Sequence, residues 1–136
     1  MSVYLSGNPV PWLVSGCGPE VRYLCLRDIL RGACGDAAVI EEYKTLRSSD
    51  VCRRFLGTAR GGILGDTKRF DLFGSGAMWR FAEAVARGYD RREPAVDATA
   101  EFIIRSCRGD SGGFIMNWKP RLEAACVTGA MVRRLL

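Results

Sequence analysis

Two glycine-containing stretches in the second half of the sequence are similar and decide the expected fold. Residues 61–78 read GGILGDTKRFDLFGSGAM, and residues 112–131 read GGFIMNWKPRLEAACVTGAM. The glycine pairs lie 51 positions apart (62 to 113), and the Gly-Ala-Met segments lie 53 apart (76 to 129). Each stretch begins with a glycine turn and ends in small residues typical of a helix start. Such a repeat indicates that one supersecondary unit is stacked on another.

The glycine pairs are expected to form structural turns. Gly61, Gly62, Gly112 and Gly113 can adopt positive φ and allow backbone segments to approach each other closely. The two loops that contain them exceed the about 12–15 residues usual for a compact domain. Because both loops lead into a Gly-Ala-Met helix start, we expect them to line one end of a helical stack.

Most of the remaining chain shows apolar residues at helical spacing. Helices are expected from Pro19, over about 36–46, over 51–56, from Met78 towards Gly88, from Pro94, and over 122–136. Residues 1–14 contain two prolines and are expected to be extended. Short strands are suggested only at residues 4–5 and 114–116, and these are too brief to build a sheet. The sequence therefore predicts an all-α fold with long Gly-rich loops.

Composition restricts the class of protein. The chain has 136 residues, of which 48% are hydrophobic, so one domain with a real core is expected. It has no 18-residue apolar run and no basic start to its N-terminus, so neither a membrane span nor a secretory signal is expected. Six cysteines occur without a CxxC pair, and histidine is absent. This pattern favours buried free thiols, no metal site and a cytoplasmic location.

The net charge of +5 comes mainly from arginine. The arginines occur in scattered pairs, which is typical of solvated helix faces. The alternative is a basic patch for nucleic acid, which aromatic residues interleaved with basic ones would support. That interleaving is absent, so the sequence does not favour nucleic acid as a partner. The pairs in question are Arg53-Arg54, Arg91-Arg92 and Arg133-Arg134.

No complete catalytic constellation is found in the sequence. Residues 109–113 read GDSGG, which matches the loop around the nucleophilic serine of trypsin-like proteases. That chemistry needs a histidine base, and the chain has none. A phosphate-binding loop and a cluster of aspartates are also missing. We therefore expect no catalytic residue, no metal and no cofactor, and lean towards a protein that is not an enzyme.

Several aromatic residues suggest either an apolar pocket or part of the core. Trp79, Phe81, Phe114 and Trp118 could line such a pocket between helices. Large aromatic side chains at helical positions are more often packed in the core. Both interpretations stay open at the level of sequence.

The segment Asp110–Phe114, preceded by an apolar helix ending at Phe102–Cys107, resembles the repeat of protein prenyltransferase β subunits and squalene/terpene cyclases. The Pro-x-Val-Arg-Tyr helix at 19–23 resembles a HEAT-type opening helix of bacterial and archaeal relatives of that superfamily. Residues 126–131 resemble a recurring Cys-x-Thr-Gly-Asn-x-Leu helix start, with Ala130 in place of Asn. The resemblance covers about residues 9–136.

The resemblance implies paired antiparallel helices in a partial α/α toroid-like repeat. It implies one helical-repeat domain over 1–136, with an extended segment at 1–14, HEAT-like helices at 15–56, a first repeat at 57–107 and a truncated second repeat at 108–136. The catalytic motifs of the superfamily do not carry over. The usual glutamine of the repeat is absent, and the zinc-binding histidine has no counterpart.

The sequence leaves two main hypotheses for function. The chain supplies about three helix pairs and ends in an apolar helix, so its last face is expected to need a cover. Met131, Leu135 and Leu136 would then contact a protein partner or a second copy of the chain, which suggests a non-catalytic interaction or scaffold module. The alternative is an isoprenoid- or lipid-related fragment that binds an apolar ligand.

Overall fold

The protein is mostly helical with a small two-stranded sheet. The computed structural model describes residues 7–32, 35–117 and 122–135. The helices are α1 (Val10–Ser15), α2 (Pro19–Leu24), a π-helical turn (Cys25–Ile29), α3 (Ala37–Ser48), α4 (Asp50–Leu56), α5 (Ala77–Ala86), α6 (Pro94–Ser106) and α7 (Ala125–Leu135). The strands are β1 (Ile115–Met116) and β2 (Leu122–Glu123), which pair antiparallel.

The chain divides into two compact units, Met1–Phe55 and Leu56–Leu136, called unit 1 and unit 2 below. The division falls one residue from the predicted boundary between the HEAT-like segment and the first repeat. The single domain predicted over 1–136 stays a prediction. None of the helices formed by the described residues is both long and apolar enough to cross a bilayer.

Unit 1 begins with a short helix where the sequence predicts an extended segment. The prediction is wrong for residues 10–14, which lie in α1. Proline does not prevent this helix because it is tolerated in the first turn, where an amide donor would have no partner anyway. The Asn8 side chain also accepts a hydrogen bond from the amide of Val10, the first residue of the helix, at 3.0 Å.

The core of unit 1 forms where α2 and the π-helical turn pack against α3. Tyr23 and Tyr43 lie with their ring centroids 5.2 Å apart, and both are buried. The Arg22 Nε donates to the Glu42 carboxylate at 2.8 Å and joins α2 to α3. The Asp36 side chain caps α3 by accepting from the Ala38 amide. The predicted helix over 36–46 is therefore present and slightly longer.

Unit 2 begins with a glycine turn that has a specific backbone requirement. Arg60 and Ile63 exchange two backbone hydrogen bonds, at 2.9 and 3.1 Å, around Gly61 and Gly62. The two glycines have φ values of +57° and +82°, both left-handed, as a type I′ turn needs.

Gly62, whose φ is +82°, leads the chain directly into the core of unit 2. The next buried residue is Leu64, and its amide donates to the Thr99 hydroxyl at 2.9 Å. Thr99 in turn donates to the Ala95 carbonyl oxygen at 2.6 Å. Because Thr99 is fully buried, this side chain fixes the loop to α6 without leaving an unpaired polar group.

Helices α5 and α6 form most of the core of unit 2. Gly76 is the N-cap of α5, and Gly88 follows its end with φ +92°. Pro94 occupies the first turn of α6, as predicted. The buried side chains that these two helices contribute are Ala77, Met78, Phe81, Ala82, Ala84, Val96, Thr99, Ala100 and Ile103.

The C-terminal part of unit 2 differs from the predicted second repeat. The helix predicted over 122–136 begins at Ala125, because Leu122 and Glu123 form β2 and pair with Met116 and Ile115. The Gly-Ala-Met segment at 129–131 therefore lies inside α7, whereas its counterpart at 76–78 lies at the start of α5. The expectation that both segments begin a helix is right for the first and wrong for the second.

Candidate functional site

An apolar groove of about 460 Å³ lies in unit 2 and is the candidate site. Helices α5 and α7 supply most of its wall, and β1 and the loop before α5 supply the rest. We call it the Met groove because three methionines line it. Its large apolar lining residues are Phe73, Met78, Trp79, Met116, Val127 and Met131.

Helical spacing explains why α7 presents an apolar wall to the Met groove. Val127, Ala130, Met131 and Arg134 recur at intervals of three and four residues, which places them on one face of the helix. Methionine side chains are flexible and polarizable, so a wall that contains them can adapt to an occupant.

Two exposed aromatic residues form one edge of the Met groove. Phe73 is 78% exposed and Trp79 is 42% exposed. Their ring centroids lie 4.7 Å apart with an interplanar angle of 64°, an edge-to-face geometry that is favourable for aromatic pairs. The Trp79 Nε1 donates to the Asp71 carbonyl oxygen at 2.9 Å, which fixes the indole ring. The edge is therefore apolar and accessible, and one of its two rings is held by a hydrogen bond.

Two charged residues also line the Met groove. The Asp71 carboxylate accepts a hydrogen bond from the Asn117 amide at 2.8 Å. The Arg134 guanidinium donates to the Ala130 carbonyl oxygen at 2.8 Å, one turn back along α7. Within residues 7–32, 35–117 and 122–135, no carboxylate lies within salt-bridge distance of Arg134.

The aromatic residues suggested by the sequence do not come together at one pocket. Trp79 lines the Met groove, but Phe81 is 1% exposed and Phe114 is 5% exposed, and neither lines it. Two residues along an α-helix correspond to about 200° of rotation, so Trp79 and Phe81 face different sides of α5. Trp118 lies outside the described residues.

The predicted interface residues on α7 are also placed differently from one another. Met131 is buried and lines the Met groove. Leu135 is half-buried at the end of α7, and Leu136 lies outside the described residues. Sequence reasoning missed Phe73, Met116 and Arg134. The spacing of Arg134 from Val127 and Met131 offered a signal, whereas Phe73 and Met116 lie outside helices and offered none.

The GDSGG segment forms a loop that holds a carboxylate of the protein itself. The Ser111 and Gly113 amides donate to the Glu123 carboxylate at 3.0 and 3.1 Å, and the Ser111 hydroxyl also donates to it. These hydrogen bonds lower the pKa of Glu123 below its ordinary value of 4.5, and the largest contribution comes from the Ser111 hydroxyl. A carboxylate stabilised in its charged form is a poor base, so the arrangement does not activate Ser111.

The glycines of this loop leave room for Glu123. A Cβ atom on Gly113 would lie 2.5 Å from a Glu123 carboxylate oxygen, and one on Gly109 would lie 2.5 Å from its Cγ. The Gly109 amide donates to the Gly113 carbonyl oxygen at 2.8 Å. The loop is therefore a closed turn around a side chain of β2, which agrees with the structural interpretation made from the sequence.

We predict that Glu123→Gln lowers the melting temperature of unit 2 near neutral pH. Because the folded-state pKa of Glu123 is lowered, its contribution to stability is present above the unfolded-state pKa and is lost as the pH falls through the folded-state pKa. The difference between wild type and variant should therefore disappear on acidification below pH 4.5. Circular dichroism melts across this pH range measure it. Asp110→Asn, which removes a charge from the same loop, is the control, and an equal effect in both variants would contradict the prediction.

The described cysteines are free and differ in burial, with Cys17 half-buried. Cys25, Cys52 and Cys107 are buried and act as small apolar residues. Cys126 is exposed, which corrects the expectation that it is buried, because α7 turns it towards the open Met groove. Cys34 lies outside the described residues. Among the described residues, no group of three potential metal ligands comes together.

Several of the paired arginines make ion pairs close to them in sequence. Local carboxylates of this kind reduce the positive charge that a phosphate backbone would encounter. The pairs are Arg53 with Asp50, Arg91 with Asp97 and Glu101, and Arg92 with Asp90.

The chain was compared with protein families, curated proteins and solved structures. No protein-family description, no curated protein and no solved structure matches the chain.

Proposed function

We propose that the protein is a non-catalytic binding module and that the Met groove is its binding site. The observation that carries this proposal is an apolar groove of about 460 Å³ with an accessible aromatic edge. Exposed apolar surface of this kind is unfavourable in water unless an occupant covers it. The sequence, which has no histidine, supports a binding role over acid–base catalysis.

The size of the groove favours the apolar-ligand alternative for its occupant. Small-molecule sites are typically about 300–1,000 Å³, mostly apolar, and contain few polar groups. The Met groove fits this description, with Asp71 and Arg134 as its charged lining residues. A protein partner or a second copy is the second candidate, and the exposure of Phe73 favours it.

The partial α/α toroid-like repeat and the likeness to prenyltransferases and cyclases belong to the same proposal. Two similar segments support the repeat. In each, a helix is followed by a glycine pair and, further along the chain, by another helix: α4, Gly61-Gly62 and α5 in the first, and α6, Gly112-Gly113 and α7 in the second. A cytoplasmic location is also proposed, and the free state of the described cysteines supports it.

We predict that Ala130→Phe weakens binding of the neutral apolar dye Nile red. The larger side chain would occupy the Met groove, which Ala130 lines. We expect the dissociation constant of Nile red, measured by fluorescence titration, to rise by about tenfold or more, because a filled groove buries less of the dye.

Val132→Phe is the matched control for this experiment. Val132 lies two residues away on α7, is exposed and does not line the Met groove. Its replacement should leave dye binding unchanged. Equal dissociation constants of Nile red for the wild type and Ala130→Phe would contradict the proposal that the Met groove is the binding site.

Light scattering distinguishes the two candidate occupants. If a second copy covers the groove, the mass of the wild-type protein should increase with concentration, and Ala130→Phe should prevent that increase. A monomer at all concentrations that binds Nile red favours the apolar ligand.

A further inference from the structure

We propose that the occupant of the Met groove is a long-chain fatty acid, with its carboxylate bound by Arg134. This inference rests on the proposed function, because it names the ligand of the same site. It follows from the combination of an apolar groove with one arginine that has no carboxylate partner among the described residues.

The position of Arg134 suits an anionic head group. Besides the Met groove, Arg134 also lines a neighbouring recess of about 300 Å³, which shares Phe73, Trp79 and Ala82 with the groove. The guanidinium group therefore lies where an apolar surface meets open solvent. One of its nitrogens donates to the Ala130 carbonyl oxygen, and a guanidinium has five N–H donors, so donors remain for a carboxylate.

The other charges around the groove do not compensate Arg134. Glu83, which lines the neighbouring recess, is paired with Arg80 at 2.5 Å and with Arg87 at 2.8 Å. The Asp71 carboxylate is bound to the Asn117 amide. The lining therefore carries one cation without an ion-pair partner among the described residues, and one carboxylate, that of Asp71, which keeps its charge because its partner is a neutral amide. A single fatty acid carboxylate would pair with Arg134 and lie away from Asp71.

The volume and shape of the site favour a single acyl chain. An aliphatic chain can follow a groove whose walls are methionine, valine and alanine side chains, because the methionines adjust to its position. Each buried methylene contributes about 0.8 kcal/mol of transfer free energy, which corresponds to about a fourfold change in the dissociation constant. Affinity should therefore rise steeply with chain length until the groove is full.

The test compares fatty acids with alcohols of equal chain length. Decanoate and dodecanoate are titrated below their critical micelle concentrations against Nile red in the groove, with decanol and dodecanol in parallel. We expect the dissociation constant to fall by about fourfold for each added methylene. We also expect each carboxylate to bind about tenfold more tightly than its alcohol, because Arg134 bonds the ionised head group.

The variant Arg134→Met should remove the preference for carboxylates, so that the dissociation constant of each carboxylate rises to about that of the alcohol of equal length. It keeps a long side chain, so the apolar wall remains. Arg133→Met removes the same charge from the same last turn of α7 and is the matched control, with an expected change under about twofold, because charges in solvent are screened.

Alkylation of cysteines locates the bound ligand. Cys126 is exposed and lines the Met groove, so bound dodecanoate should slow the reaction of this thiol with iodoacetamide. Mass spectrometry measures the extent of the reaction over time. Cys17 in unit 1 is half-buried and serves as the internal control.

The outcomes separate this inference from the proposed function. Equal binding of carboxylate and alcohol, unchanged in Arg134→Met, would overturn the fatty acid while the groove remains a binding site. Absence of binding by Nile red and all the aliphatic ligands would overturn the proposed function itself. Binding that leaves Cys126 unprotected would also overturn the inference.

Discussion

Replacing Gly76 with alanine is expected to destabilise unit 2 by about 3 kcal/mol or more. A Cβ atom at this position would lie 2.4 Å from the Phe70 carbonyl oxygen, 2.5 Å from that of Arg69 and 2.6 Å from the Leu72 amide nitrogen. All three are backbone atoms, so no side-chain movement relieves the contacts. The loop before α5 would have to move, and with it the start of the helix that carries Met78 and Trp79.

Gly129→Ala is the matched control, because it changes the same residue of the second Gly-Ala-Met segment. Gly129 lies inside α7, and a Cβ atom there would have no neighbour within 4 Å. Alanine favours the helix interior over glycine, so this variant should be more stable than wild type by about 0.5–1 kcal/mol.

Hydrogen exchange read by mass spectrometry measures both variants, because peptides from α5 and α7 report on unit 2 directly. Gly76→Ala should lose protection in α5, and Gly129→Ala should gain it in α7. Similar changes in protection in the two variants would show that the two Gly-Ala-Met segments have the same structural role. That result would contradict the placement of Gly76 before α5 and of Gly129 inside α7.

Phe81→Ala is expected to destabilise unit 2 by about 3–5 kcal/mol, because it leaves a cavity in a well-packed core. Phe81 is fully buried on α5. Trp79→Ala should cost about 1–2 kcal/mol, because Trp79 is partly exposed and loses mainly its contact with Phe73 and its hydrogen bond to Asp71. Urea unfolding followed by circular dichroism measures both.

Dye binding should show the opposite order of effects. Trp79→Ala should weaken Nile red binding, because Trp79 lines the Met groove. Phe81→Leu keeps most of the core volume and is expected to bind the dye as wild type does. Loss of dye binding in a folded Phe81→Leu protein would contradict the assignment of Phe81 to the core.

The sequence predicted α2 to α6 because their signals are local, whereas it missed α1. Asp36 and Ser49 cap α3 and α4 with their side chains, and Pro94 occupies the first turn of α6. Residues of this kind act through the backbone next to them, so they can be recognised without tertiary structure.

Features that depend on distant contacts could not be predicted in the same way. Leu122 and Glu123 were predicted to begin the last helix, but pairing with β1 and the hydrogen bonds from the 109–113 loop to Glu123 place them in a strand. The prediction that Gly76 and Gly129 occupy equivalent positions was wrong for a similar reason. Gly76 is required by the backbone of the 69–72 segment, and no such segment lies against Gly129.

The Met groove was the least predictable part of the protein. It combines residues from α5, α7, β1 and a loop, and only Trp79 and Met131 among them were selected from the sequence. Aromatic character alone did not separate Trp79 from Phe81, because their difference lies in the direction that each faces on α5.

The π-helical turn at Cys25–Ile29 has a consequence for comparing this chain with others. The Leu30 amide donates to the Cys25 carbonyl oxygen at 2.9 Å, five residues back, so the turn accommodates one residue more than an α-helical turn does. The chain leaves the helix directly after this turn, where Arg31 has a left-handed φ of +54°. Deletion of one residue here would therefore shorten the end of the helix and leave α2 in place. Evolutionary alignments of this region should allow a one-residue gap at the end of the helix.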